Sequence, residues 1–166
     1  VEPPPKEAPA RGKAKSKTKA KAKGRGKAPA PVPMIPATVY LYDAEAAKAE
    51  GNDGFVAVQR EVGKAAPEKN AVWNLFKGPT DEEKAKGLVV NTSGATGFEG
   101  FKVEDGVATL RLRGGCSSEG ATVTIYDHLH RTLTAFDSVQ HVKVAGPGET
   151  TTPDGKVDHR PDCLQP

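Results

Sequence analysis

The chain has 166 residues, with 24 Lys and Arg against 21 Asp and Glu, two cysteines and 14 prolines, a size that suits one modest domain and excludes a large multi-domain enzyme. Leu, Ile, Val and Phe make up 31 residues, close to the composition at which disorder sets in, yet 26 of them lie between Thr38 and Gly146. Charge is as uneven: residues 1–33 carry ten Lys and Arg and two Glu, net +8, while residues 34–166 carry fourteen against nineteen, net −5.

Residues 1–37 are Pro, Ala, Lys and Gly with few large apolar side chains, punctuated by Pro3, Pro4 and Pro5 and by Pro29, Pro31, Pro33 and Pro36. Such a segment has no apolar surface to offset an ordering cost of about 1 to 2 kcal/mol per residue, so a disordered basic tail or linker is expected. The chain begins at Val1 rather than Met, which fits a removed leader; the residues present lack the apolar core of a signal peptide. Lys13, Lys15, Lys17, Lys19, Lys21, Lys23, Arg25 and Lys27 alternate with small residues and are the candidate polyanion-binding set. No aromatic side chain is interleaved, so contact with nucleic acid would be nonspecific and steeply salt-dependent. Lipid headgroups, a wall polymer or an acidic protein would serve equally, and a solubilising spacer is the bland reading.

A domain is expected from Thr38 to Gly146. Val39-Tyr40-Leu41-Tyr42 and Phe55 to Val62 read as strands joined by the turn chemistry of Asn52-Asp53-Gly54. Pro67 opens a short helix carrying Val72, Trp73, Leu75 and Phe76, and Gly78-Pro79 closes it. Thr80 followed by Glu83 is a capping box for a second helical turn ending near Gly87. Val89 to Gly97 reads as a polar, Gly-rich loop. Asp105-Gly106 sits between two alternating runs, Phe98 to Glu104 and Val107 to Leu112, the strongest hairpin signal in the chain. Apolar residues from Thr122 to Phe136 recur at helical spacing, with Ser117 or Ser118 as caps. His141 to Val144 is a closing strand, and residues 147–166 form a turn-rich extension. The order ββαββαβ implies an α+β fold, a mixed or antiparallel sheet with two main helices on one face.

These residues resemble a known family. Arg60-Glu61-Val62, the corner Gly78-Pro79-Thr80 with Glu83, the hairpin Val103-Glu104-Asp105-Gly106-Val107 and the helix ending Leu133-Thr134-Ala135-Phe136 are similar to the GerMN domain of sporulation and spore-germination proteins. The resemblance spans about residues 38–146; this chain carries one such domain where the spore-germination archetype has two, and adds the cationic tail. It implies a fold like the ring-building motif of envelope scaffolds, an extracytoplasmic location and no enzymatic activity. Cys116 together with the ending Pro161-Asp162-Cys163-Leu164-Gln165-Pro166 is similar to short secreted members, which implies a disulfide tying the extension to the domain and hence an oxidising compartment. Two unrelated thiols in a reducing compartment remain the other reading.

The remaining chemistry-bearing residues suggest neither catalysis nor a metal. Two cysteines without a C-x-x-C partner leave a zinc site incomplete, and His128 and His130, two apart on a helix, face away from each other. His128, His130, His141 and His159 read as surface residues. Hydrolase and phosphate-loop motifs are missing, and Gly94, Gly97 and Gly100 read as a flexible turn before a strand. No cofactor is expected, nor a small-molecule substrate, because no convergent polar cluster is visible. The function expected is a non-enzymatic extracytoplasmic scaffold or protein-interaction module, self-assembling or joined to other envelope proteins, with its tail on an anionic surface. The alternative is a nucleic-acid accessory protein acting through that tail.

Overall fold

The alternation Ala37, Val39, Leu41 places three buried side chains on one face of β1 (Met34–Asp43), which pairs antiparallel with β2 (Phe55–Gly63), Val39 opposite Val58. A computed structural model describes residues 31–166; the Lys13 to Lys27 set lies outside the described residues. The first strand begins at Met34, four residues before the expected Thr38, so the stretch from Met34 to Ala37 is sheet rather than tail. Pro36 is accommodated because the third strand reaches only Tyr42 and Asp43, leaving this end of β1 paired with β2 alone. At the connecting turn the Asn52 side chain accepts the Gly54 N–H at 2.8 Å and Asp53 accepts that of Phe55 at 3.1 Å. Gly54, at φ +80°, is required there: a Cβ would lie 2.8 Å from the Asp43 carbonyl.

Helix α1 (Pro67–Lys77) starts on its proline, ends at Gly78 and buries Ala71, Val72 and Leu75. Trp73 is 40% exposed, with its ring 4.6 Å from that of Phe98. Helix α2 (Asp81–Ala85) has both halves of the capping box: Glu83 N–H donates to the Thr80 hydroxyl at 3.3 Å, and Thr80 N–H to the Glu83 carboxylate at 3.0 Å. The loop expected from Val89 to Gly97 is shorter than the sequence suggests, since β3 (Leu88–Val89) pairs with the end of β1 and β4 (Ala95–Glu104) begins at Ala95.

The hairpin between β4 and β5 (Val107–Gly114) turns on Asp105 and Gly106, both at positive φ, 51° and 80°, as a type I′ turn requires. Helix α3 (Ile125–Thr134) starts later than expected, capped by Thr124. Asp127, a shorter substitute for the capping-box glutamate, accepts the Thr124 N–H at 2.8 Å, and the Ser93 hydroxyl accepts that of Ile125 at 3.0 Å. Ser118 is engaged elsewhere, its N–H bonded to the Cys163 carbonyl and its hydroxyl to that of Gln165. Finally, β6 (His141–Ala145) runs parallel to β5.

The architecture is α+β as expected, but the strands divide into two three-stranded sheets, β2-β1-β3 and β4-β5-β6. Helices α1 and α3 pack on each other and on β1, α1 reaching β4 and α3 reaching β6. One continuous apolar cluster runs from Val39 and Leu41 through Leu75, Leu129 and Leu133 to Leu110, Val142 and Leu164.

Candidate functional site

Every strand has two sides, and where each side finds its hydrogen bonds decides which surfaces are open. On β1, Tyr40 pairs with β2 on one side only. Its N–H donates to the Thr132 hydroxyl at 3.1 Å, and its carbonyl lies 2.9 Å from His128 Nδ1. His128 and Thr132 are fully buried and four residues apart on α3, so one helix face carries both the donor and the acceptor that this strand edge lacks. His128 Nε2 accepts the Asn91 N–H at 3.2 Å, which leaves the proton on Nδ1 and the ring neutral. Burial holds its pKa below the ordinary histidine value, against the opposing effects of the Tyr40 carbonyl and Asp127. The surface reading of His128 is therefore corrected: the residue completes the core.

The second sheet is closed along β6 by the C-terminal extension. His159 N–H donates to the Val142 carbonyl and Val144 N–H to that of His159, at 3.0 and 2.9 Å, while Asp158 accepts the Val142 N–H at 2.8 Å. Side-chain pairs reinforce this strip: Asp158 lies 3.3 Å from His130 and 3.7 Å from His141, His159 is 3.3 Å from Glu149, and Arg160 is 2.8 Å from Asp127. Cys116 and Cys163 are at bonding distance, 1.96 Å between sulfurs, and Leu164 beyond them is fully buried. The extension is thus fastened by a covalent link, a strand-like strip and an apolar anchor. Although His130, His141 and Asp158 converge here, no group of three or more His, Cys, Asp or Glu among the described residues could hold a metal ion.

Between this extension and the outer face of the second sheet runs a cleft of about 840 Å³. Its floor is ordered by strand register. Lys102, Thr109 and Lys143 stand opposite one another across β4, β5 and β6, and Glu99, Arg111 and Ala145 form the next row. Residues 149–156 form the wall. Lys143 is only 7% exposed, because its ammonium donates to the Pro153 carbonyl and the wall closes over it.

The sequence motifs occupy two other places. Gly78, Pro79, Thr80 and Glu83 form the α1–α2 corner, where Glu83 receives Arg60 of β2 in a bidentate pair at 2.7 and 2.6 Å. Arg60 lowers the Glu83 pKa, assisted by the Thr80 N–H. Asp105 and Gly106 form the hairpin tip, and the Gly106 carbonyl accepts the N–H groups of Gln140 and His141 at 2.8 and 3.1 Å. Sequence reasoning missed Arg111, Lys143 and the Thr150 to Thr152 run. Period-2 alternation was the available signal, setting Thr109 and Arg111 on one face of β5 and His141 and Lys143 on one face of β6; the wall of residues 149–156 that covers Lys143 had none.

A family match described as Germane, sporulation and spore germination, extends over residues 38–152. The chain belongs to this family. The matched range runs from within β1 through β6 to the start of the extension, and agrees with the family resemblance seen in the sequence. Among solved structures, the tandem GerMN domains of the sporulation protein GerM from Bacillus subtilis match with a TM-score of 0.51 at 22% identity, over 70% of this chain and 40% of that one. The Germane chain thus spans about 40% of that structure, and the likeness is one of fold. No curated protein matches it in sequence.

Proposed function

We propose that this Germane-family chain is a non-enzymatic, extracytoplasmic scaffold or protein-interaction module of the sporulation and germination type. It acts through its open sheet edges, and its Lys-rich segment contacts an anionic surface. The carrying observation is the asymmetry of the strand edges. The β6 edge is covered by residues 158–159 and the β1 edge by α3, whereas β2 pairs with β1 alone over nine residues and carries exposed Ala57, Gln59 and Glu61. The β4 edge is interrupted by irregularities at Ala95/Gly97 and Glu99/Lys102, which disfavours pairing with another strand, so β2 is the edge suited to accept one.

The Cys116–Cys163 link supports an oxidising location. A non-catalytic role is supported by the occupation of the reactive side chains: both nitrogens of His128, the Ser118 hydroxyl and the Asp127 carboxylate each have a structural partner.

The test is sedimentation over a wide concentration range, paired with crosslinked pull-downs from the source compartment, with and without residues 1–33. Concentration-dependent association or partner capture that survives the deletion and is weakened by Ala57→Lys with Gln59→Lys is expected. A monodisperse monomer with no crosslinked partner would overturn the scaffold reading. Loss of every partner on deletion, with free thiols in freshly isolated protein, would favour the nucleic-acid alternative.

A further inference from the structure

The cleft is lined by carboxylates and cations in nearly equal number, but two of its cationic side chains, Lys143 and Arg111, have donors left incompletely matched. Lys143 is buried with a carbonyl as its partner and enters no ion pair among the described residues. On the neighbouring row, Arg111 reaches Glu99 through a terminal nitrogen at 3.5 Å, while its buried Nε–H has no acceptor. An unpartnered buried donor is unfavourable, and a buried cation is poorly matched by one neutral carbonyl. Both deficits sit in the same cleft, on diagonal positions of adjacent strands flanking Thr109.

We propose that this cleft binds a small ligand bearing a single carboxylate on a polar, hydroxyl- or amine-rich body, with the carboxylate seated between Lys143 and Arg111. The lining chemistry selects this class. Thr109 and the Thr150 to Thr152 hydroxyls offer both donors and acceptors, and the lining contains no aromatic ring to stack an apolar body. Five carboxylates also border the cleft, Glu99, Glu104, Asp105, Glu149 and Asp154, so a polyanion is repelled more strongly than a lone carboxylate, and a cationic group on the ligand body would meet them favourably. The volume of about 840 Å³ is that of an ordinary small-ligand site. An acidic sugar and a peptide C-terminus share this chemistry.

The test is a titration of the full disulfide-intact chain, followed by two-dimensional amide NMR, with D-glucuronate, with L-alanyl-L-alanine, and with D-glucose as the uncharged control. Glucuronate or the dipeptide is expected to shift the amides of Thr109, Lys143 and Thr150 to Thr152, and whichever acts identifies the ligand body. Arg111→Gln and Lys143→Met are each expected to weaken that binding about tenfold, the loss of one charge-assisted contact. Arg111→Gln alters no core side chain, so it remains informative if Lys143→Met loosens the wall. No shift from either acid at concentrations of about 50 mM, shifts confined to the Lys-rich segment, equal binding of glucose, or unchanged affinity in both variants would overturn the proposal.

Discussion

His128 and Thr132 show how a polar residue becomes a core residue when a strand edge needs it. Thr132→Val keeps the shape and removes the acceptor for the Tyr40 N–H; we expect a loss of about 1 to 3 kcal/mol in urea unfolding, larger than for Thr134→Val nearer the surface. His128 adds a pH dependence. Its folded-state pKa is depressed, so its contribution is complete above the unfolded value of about 6.5 and declines as pH falls from there towards the folded value, because the unfolded chain takes up the proton first. Unfolding measured at pH 5 and pH 7 should show this decline in the wild type and not in His128→Gln. Glu83, also depressed, behaves likewise at lower pH: its pair with Arg60 contributes above about pH 4.3 and is lost as pH drops through the folded value. Glu83→Gln should cost about 2 kcal/mol at pH 7 and progressively less in acid. The Thr80–Glu83 capping box was legible in the sequence because it is a local pattern. The burial of His128 was not, since it depends on a strand 88 residues away.

At the scale of elements, local chemistry again marks what could be foreseen. Asp105-Gly106, Pro67 and the Gly78 helix stop each encode a boundary within a few residues, and the structure places all three accordingly. The start of α3 escaped because its cap uses Asp127, and because the better-looking serines are engaged elsewhere: Ser118 bonds to Cys163 and Gln165, and the Ser117 N–H to the Ser93 carbonyl, contacts that no local window contains. The split into two sheets escaped for the same reason: β3 has two residues and is defined only by its partner. Gly106 provides a quantitative test. A Cβ there would stand 1.9 Å from Gln140 Oε1, at a φ of +80°. Gln140 is exposed and can swing aside, so the cost of Gly106→Ala comes mainly from the positive φ: a loss of about 1 kcal/mol or more is expected in urea unfolding, and Gln140→Ala in the same chain should change it little in a double-mutant cycle.

For the whole molecule, the apolar core is one body, but the C-terminal strip depends on its fastening. Reduction, or Cys163→Ser, removes a cross-link over a sequence separation of 47 residues, worth up to about 4 kcal/mol. Hydrogen exchange should then rise first at Val142, Val144 and His159, whose amides bond across the strip, while the helices hold. An intact-mass difference of about two hydrogens reports the starting state. Strip and cleft were invisible in the sequence because both form only when the extension folds back on β6, His159 bonding to Val142 and Val144 while residues 149–156 close over Lys143. That arrangement governs the fate of a cut chain. Lys156 is exposed in the wall, and a protease cleaving after it would separate Val157 to Pro166 from the remainder in sequence only. The ten-residue piece, held through Cys163, would migrate with its parent until a reductant was added, so damage at this point would pass unnoticed in an oxidising milieu.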